Sequence, residues 1–220
     1  MRTLTLSVVL ALGALTLVPS CSSMYFGAME AIGVPKREIF VDRVKEGRQA
    51  QEEAKQQFAS ALEAFKATTK FDGGKLEKVY DKLNDEYESC ASRVENVQSR
   101  IKGIESVSDA LFDEWKDEIG QMQNADLKRR SETSLRDTQR RYEDLIAAMK
   151  KAESKMSPVL VSLRDHVLFL KHNLNAQAIA SLQGDLSEIE GDVGALIGDM
   201  QKAISEADAF IQQLEGKPQA

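Results

Sequence analysis

The chain is predicted to be all-α: an elongated antiparallel helical bundle, or coiled coil, of about four long helices plus one short helix. Three observations predict it. Of 220 residues, 29% are charged, 6% are aromatic and only 4 are Pro, a mix that suits long helices with a thin apolar seam better than a compact α/β enzyme. Apolar residues recur at alternating steps of three and four in four separate stretches, the spacing that keeps one stripe of a helix facing a partner. Short runs rich in Gly, Asn and Asp separate those stretches, as turns require.

Residues 1–20 stand apart from this pattern. Arg2 supplies the one charge, and Thr3 to Val18 is an uncharged run rich in Leu, Val and Ala. It is short for a membrane span and has the proportions of a signal-peptide core. Val18-Pro19-Ser20-Cys21 resembles the bacterial lipobox, with an aliphatic residue three before the Cys and a small residue just before it; Pro19 departs from the usual pattern. Cleavage is expected between Ser20 and Cys21, and the Cys21 thiol is expected to take a diacylglyceryl group. At about 0.8 kcal/mol per buried CH₂, two or three acyl chains would hold the protein on a bilayer. Similar proteins retained in the inner membrane tend to carry Asp after the Cys. Ser22 stands there, followed by Ser23, which implies the periplasmic face of the outer membrane rather than of the inner one.

The expected organisation is a signal peptide at 1–20, a lipidated membrane-proximal tether at 21–35 and a helical bundle at 36–215. The tether holds Met24, Tyr25, Phe26, Met29, Ile32 and Val34 and one charge, Glu30, and could lie at the lipid surface or pack under the bundle. A first long helix is expected from about Lys36 to Lys70, with Val44, Gly47, Gln51, Ala54, Phe58, Ala61 and Phe65 on its seam. The small residues there would let a neighbour approach closely. Phe71-Asp72-Gly73-Gly74 breaks it.

The second helix starts near Lys75, and Leu76, Tyr80, Leu83, Tyr87, Cys90, Val94, Val97, Ile101 and Ile104 form its seam. The frame weakens at Gly103 to Ser108. Ser106 and Ser108 read as N-caps for the short helix, Asp109 to Met122. Asn124-Ala125-Asp126 marks the next break. The third long helix runs to about Lys171, with Leu135, Thr138, Tyr142, Leu145, Met149, Ala152 and Met156 in register. Pro158 should kink or restart it. Beyond it Val159-Leu160-Val161, Leu163 and Val167-Leu168-Phe169-Leu170 are apolar on more than one face, which predicts the most buried part of the bundle. Asn173 and Asn175 form the last hairpin. The fourth helix covers about Ala176 to Leu214 on a seam from Leu182 to Leu214, widened by Ile197, Ile204 and Ile211.

Few residues suggest chemistry. Asp72-Gly73-Gly74-Lys75 lacks the further Gly and the Ser or Thr of a phosphate loop: Thr69 and Leu76 stand in those places. His166 and His172 are the only histidines, and Leu163 and Phe169 occupy the positions where a di-iron bundle needs Glu. With Cys21 lipidated, Cys90 has no disulfide partner and reads as a small core residue. No metal and no cofactor are expected, and no enzymatic activity. Arg129, Arg136 and Arg140, among Lys128, Arg130 and Arg141, form a locally basic face that could bind an anionic polymer, although Asp113, Glu114, Asp117 and Glu118 could neutralise it. Gly184, Gly191, Gly194 and Gly198 share one stripe opposite the seam of the last helix. At about 1 kcal/mol each relative to Ala, they suggest close packing by a neighbouring helix or a second protomer. Loss of residues 1–20 removes Arg2 and no acid, leaving 28 basic against 35 acidic side chains, a balance that disfavours nucleic acid.

Lys36-Arg37-Glu38 with Val41-Asp42-Arg43-Val44, and Phe169 through Ala176, resemble a proteobacterial family catalogued as domain of unknown function 2959. The resemblance covers most of the chain after Cys21. It implies no established activity, cofactor or site residues. The function expected is a lipid-anchored, periplasm-facing envelope lipoprotein acting as a non-enzymatic helical scaffold or adaptor. Its partners would be the membrane, through the N-terminal lipid, and an envelope protein or a second copy of the chain. The alternative is a binding module for an anionic envelope polymer or lipid such as peptidoglycan or lipopolysaccharide. A cytoplasmic coiled-coil role linked to DNA repair is a remote third, which an export signal opposes.

Overall fold

The computed structural model describes residues 21–71, 73 and 75–216. The expected signal peptide, including Ser20, lies outside the described residues, as do Asp72 and Gly74. Five helices follow in chain order: α1 (Cys21–Ala31), α2 (Lys36–Thr69), α3 (Leu76–Gln121), α4 (Ala125–His172) and α5 (Ala176–Leu214). At about 1.5 Å per residue the long helices run roughly 50–70 Å. They form a ring in which α2 packs on α3 and α5, and α4 packs on the same two. Buried side chains from all five helices join in one continuous core.

The heptad stripes account for that core. Val44, Ala54, Phe58, Ala61 and Phe65 of α2, Cys90 to Ile104 of α3, Leu145 to Met156 of α4 and Leu182 to Phe210 of α5 supply most of its buried positions. Near the start of α2 each long helix contributes one ring. Phe40 lies 6.0 Å from Phe112, 5.8 Å from Tyr142 and 5.5 Å from Phe210, between centroids, and Phe112 lies 5.5 Å from Tyr142. Polar pairs along the edges of the seam fix the antiparallel register. Arg48 holds Asp208 through two nitrogens, Lys55 donates to Gln201 and Lys66 pairs with Glu190, stepping down α2 and up α5. Arg100 with Glu46 and Arg93 with Glu53 do the same for α2 and α3. Lys151 and Lys155 of α4 converge on Asp199 of α5 and hold its carboxyl below the usual range.

Chain breaks fall where small polar residues can satisfy helix ends. Asn124 accepts from the N–H groups of Asp126 and Leu127 at the start of α4, and Asn175 accepts from Ala178 at the start of α5. The α2 C-cap is Lys70 rather than a glycine.

Three expectations require correction. No short helix begins after Ser106 or Ser108, because α3 is continuous to Gln121. Ser108 sits fully buried at the in-frame core position, and its hydroxyl donates to the Glu105 carbonyl one turn back. The seam therefore passes through a satisfied polar residue without breaking. The short helix is instead α1, in the stretch expected to be a tether. Nor is α4 beyond Pro158 the most buried stretch. Val159, Leu163, Val167 and Leu170 are buried, but Val161, Leu168 and Phe169 are 55%, 43% and 42% exposed. With neighbours on two sides, a helix that is apolar all round leaves its outer face uncovered. The helix runs through Pro158 without a restart.

Gly47 shows how close the approach is. A Cβ there would lie 2.6 Å from Ile104 Cδ1 and 2.9 Å from Met149 Cε. Both atoms end flexible side chains, so Ala fits with small shifts. A large residue does not fit. Gly47→Leu is expected to destabilise the protein by about 1–3 kcal/mol in urea unfolding, with Gly47→Ala close to wild type.

Candidate functional site

The chain builds its most elaborate local structure where α1 meets the bundle. Helix α1 ends in a paired cap: Gly33 N–H donates to the Glu30 carbonyl at 2.9 Å and Val34 N–H to the Met29 carbonyl at 3.0 Å. Gly33 takes φ +88°, which only glycine adopts without strain, and Pro35 follows to open α2. The cap reverses the chain, so α1 runs back beside α2 and α3 rather than extending from the bundle. Phe26 is buried, and it borders the same groove as Ser106 and Ala110 of α3, well inside the end of that helix at Gln121. Lys36, the first residue of α2, lies between Glu30 and Glu114. Burial works against its charge, but the two carboxylates hold the ammonium above its ordinary value, and Lys36 in turn holds Glu30 below its own.

Beside this junction α3 and α4 continue past the start of α2 and the end of α5. The mismatch leaves a half-open cleft of about 810 Å³. Leu111, Trp115 and Leu214 line it with apolar surface, and Lys36, Glu114 and Gln213 add polar groups. The Trp115 indole donates to the Ser131 hydroxyl at 2.8 Å, which ties the protruding ends of α3 and α4 together. Arg37 donates to the Leu214 carbonyl at 2.6 Å and holds the end of α5. Gln213 Oε1 is buried without a hydrogen-bond partner among the described residues. Two of the cleft's carboxylates, Glu30 and Glu114, are engaged with Lys36, and Glu118 is the third that lines it.

The residues singled out in the sequence are spread over the molecule. Cys21 opens α1, and Ser22 follows it in the same helix. Arg129, Arg136 and Arg140 lie on one exposed strip of α4. Arg129 pairs with Asp126 and Arg140 with Asp137, each one turn earlier in the same helix, while Arg136 donates to Thr133. Two of the α3 acids look elsewhere: Asp113 pairs with Lys116 and Glu114 with Lys36. Gly184, Gly191, Gly194 and Gly198 are exposed, and a Cβ at any of them would meet nothing within 4 Å. Among the described residues no helix packs closely there. His166 bridges α4 to α5, its Nε2 3.2 Å from Asp185 and its ring edge-on to Phe65 at 5.1 Å. Among the described residues no cluster of three or more His, Cys, Asp or Glu could hold a metal, and no helix is long and apolar enough to cross a membrane.

The cleft and the α1 cap escaped sequence reasoning. Gly33-Val34-Pro35 is a legible helix-stop and helix-start signal and could have revealed α1. The cleft depends on relative helix register, which periodicity alone does not supply.

These features define an all-α antiparallel bundle of four long helices with a short helix folded onto its flank. The chain belongs to the family described as Protein of unknown function (DUF2959), whose pattern matches residues 25–214. No curated protein matches it in sequence.

Two outcomes follow from this geometry. Changing Gly184, Gly191, Gly194 and Gly198 together to Ala should stabilise the monomer by about 2–4 kcal/mol in chemical unfolding, since each gains helix propensity with no clash. Destabilisation, or a change in oligomeric state by light scattering, would mean that another molecule packs on that stripe. The Cys90 thiol is fully buried, and that burial, helped by the Glu86 charge, pushes it up to about 12. In the unfolded chain it ionises from about pH 9, so this group's contribution falls as pH rises from there towards 12. Cys90→Ala should therefore show a shallower loss of unfolding free energy across that window, by up to about 1.4 kcal/mol per pH unit.

Proposed function

We propose that this protein is a lipid-anchored envelope lipoprotein whose helical bundle serves as a non-enzymatic scaffold or adaptor on the periplasmic side of the outer membrane. One observation carries the proposal: an uncharged apolar run leads into Val18-Pro19-Ser20-Cys21, and Cys21 is the first residue of a helix docked on the bundle. A thioether-linked glyceride at that position would join lipid to folded protein with no intervening linker.

The rest of the molecule suits such a role. The bundle is long and continuous, with its apolar seam covered and ion pairs joining its neighbouring helices. That construction supports a stiff spacer with a recessed contact site better than a reaction centre. The cleft near Trp115 is the surface on which a partner would be engaged.

The anchor is tested directly. Cells expressing the protein and fed labelled palmitate should yield a labelled, shortened polypeptide that sediments with outer membranes. Cys21→Ser should abolish both the label and the fractionation. An unlabelled protein, or a Cys21→Ser form processed and located like wild type, would remove the proposal.

A further inference from the structure

Helix α1 touches the bundle through Phe26 and Met29, and its one charged side chain, Glu30, is committed to Lys36. Its other side is largely exposed, with Arg43 of α2 hydrogen-bonded to Tyr25 at its edge. Tyr25 is 43% exposed, Ile32 is 74% exposed, and Ala28 between them is exposed as well. Positions 21, 25, 28 and 32 are separated by four, three and four residues. Helix register places the first position of α1 on the same stripe as Tyr25 and Ala28, and Ile32 follows α1 as the first residue of the turn.

We infer that the stripe formed by Tyr25, Ala28 and Ile32 rests in the interfacial layer of a lipid bilayer, so that the bundle presents a flank rather than an end to the membrane. The inference rests on acylation of Cys21 as proposed above. Acyl chains leaving the first position of α1 bring the stripe to the bilayer surface, and a tyrosine with aliphatic neighbours suits the boundary between headgroups and acyl chains. The reversal at Gly33 supplies the orientation. Because α1 runs back along α2 and α3, its outward side is the side of the bundle.

Asp109, Asp113 and Asp117 border the groove on the Phe26 and Gly27 side of α1, away from the stripe. Arg43 beside Tyr25 puts one cation at the edge of an otherwise apolar contact.

The test uses the acylated mature chain in vesicles of phosphatidylethanolamine and phosphatidylcholine. Nitroxide labels are placed in turn at Ala28→Cys and Ile32→Cys, with Ser187→Cys on the outer face of α5 as reference. Cys90 is fully buried and is shielded from the reagent. Labels at 28 and 32 should collide with oxygen readily and with a water-soluble nickel chelate several-fold less than the label at 187. This shielding should persist in high salt, as an apolar contact requires. An acylated protein that floats with the vesicles but exposes 28 and 32 as fully as 187 overturns the inference and leaves the anchor intact. A chain that neither acylates nor floats removes the anchor and this inference with it. Equal shielding of 28 and 32 in the Cys21→Ser protein without vesicles would assign the stripe to a protein contact, and likewise overturn it.

Discussion

The bundle depends on four narrow apolar stripes meeting along their whole length. Isolated helices gain little from their own hydrogen bonds in water, and it is the covered stripe that holds them. Here the stripes close around Phe40, Phe112, Tyr142 and Phe210, one ring from each long helix. Edge-to-face packing of that kind tolerates little sliding, because a shift of one helical turn would carry a ring out of the cluster. The edge pairs then select the same register independently. Arg48 reaches Asp208, and Lys66 reaches Glu190, only if α5 is antiparallel to α2 and aligned as it is. Apolar burial supplies the stability, and the polar pairs select one alignment among several of similar burial.

Much of this was legible from residue spacing. The bounds of α2, α4 and α5 follow from the seam and from Asn124 and Asn175, residues whose side chains replace missing helical acceptors. The reading failed where polarity and position disagree. Ser108 interrupts the apolar pattern of α3, yet a hydroxyl can occupy a core position when it bonds to the carbonyl three residues back. The stretch after Pro158 failed in the opposite sense. Val161, Leu168 and Phe169 are apolar, but composition does not reveal how many neighbours a helix has.

The end cleft shows a further limit. It exists because α3, with 46 residues, and α4, with 48, outrun α2, with 34, and α5, with 39. Breaking α3 at Ser108 hides that excess length and with it the overhang that carries Trp115. The heptad pattern reports which residues face a partner, but the rise between helix ends depends on which layers align. Phe40 opposite Phe112 sets that alignment here, and no local signal in either helix announces the pairing.

Glycine has two opposite meanings in this molecule. Gly47 lies under Ile104 and Met149, where the absence of a side chain lets α2 approach two helices at once. The glycines of α5 face open space, and there the same residue only weakens the helix, by about 1 kcal/mol at each position relative to Ala. The two cases are separated by seam position: Gly47 alternates with Gln51, Ala54 and Phe58, whereas Gly191 and Gly198 lie opposite Val193 and Met200. The consequence is an asymmetric bundle. α5 has low intrinsic helicity over its middle turns and is held by its inner stripe and by pairs from α2 and α4. Local opening follows weak local contacts, so the middle of α5 is where this structure should exchange amide protons first among its long helices.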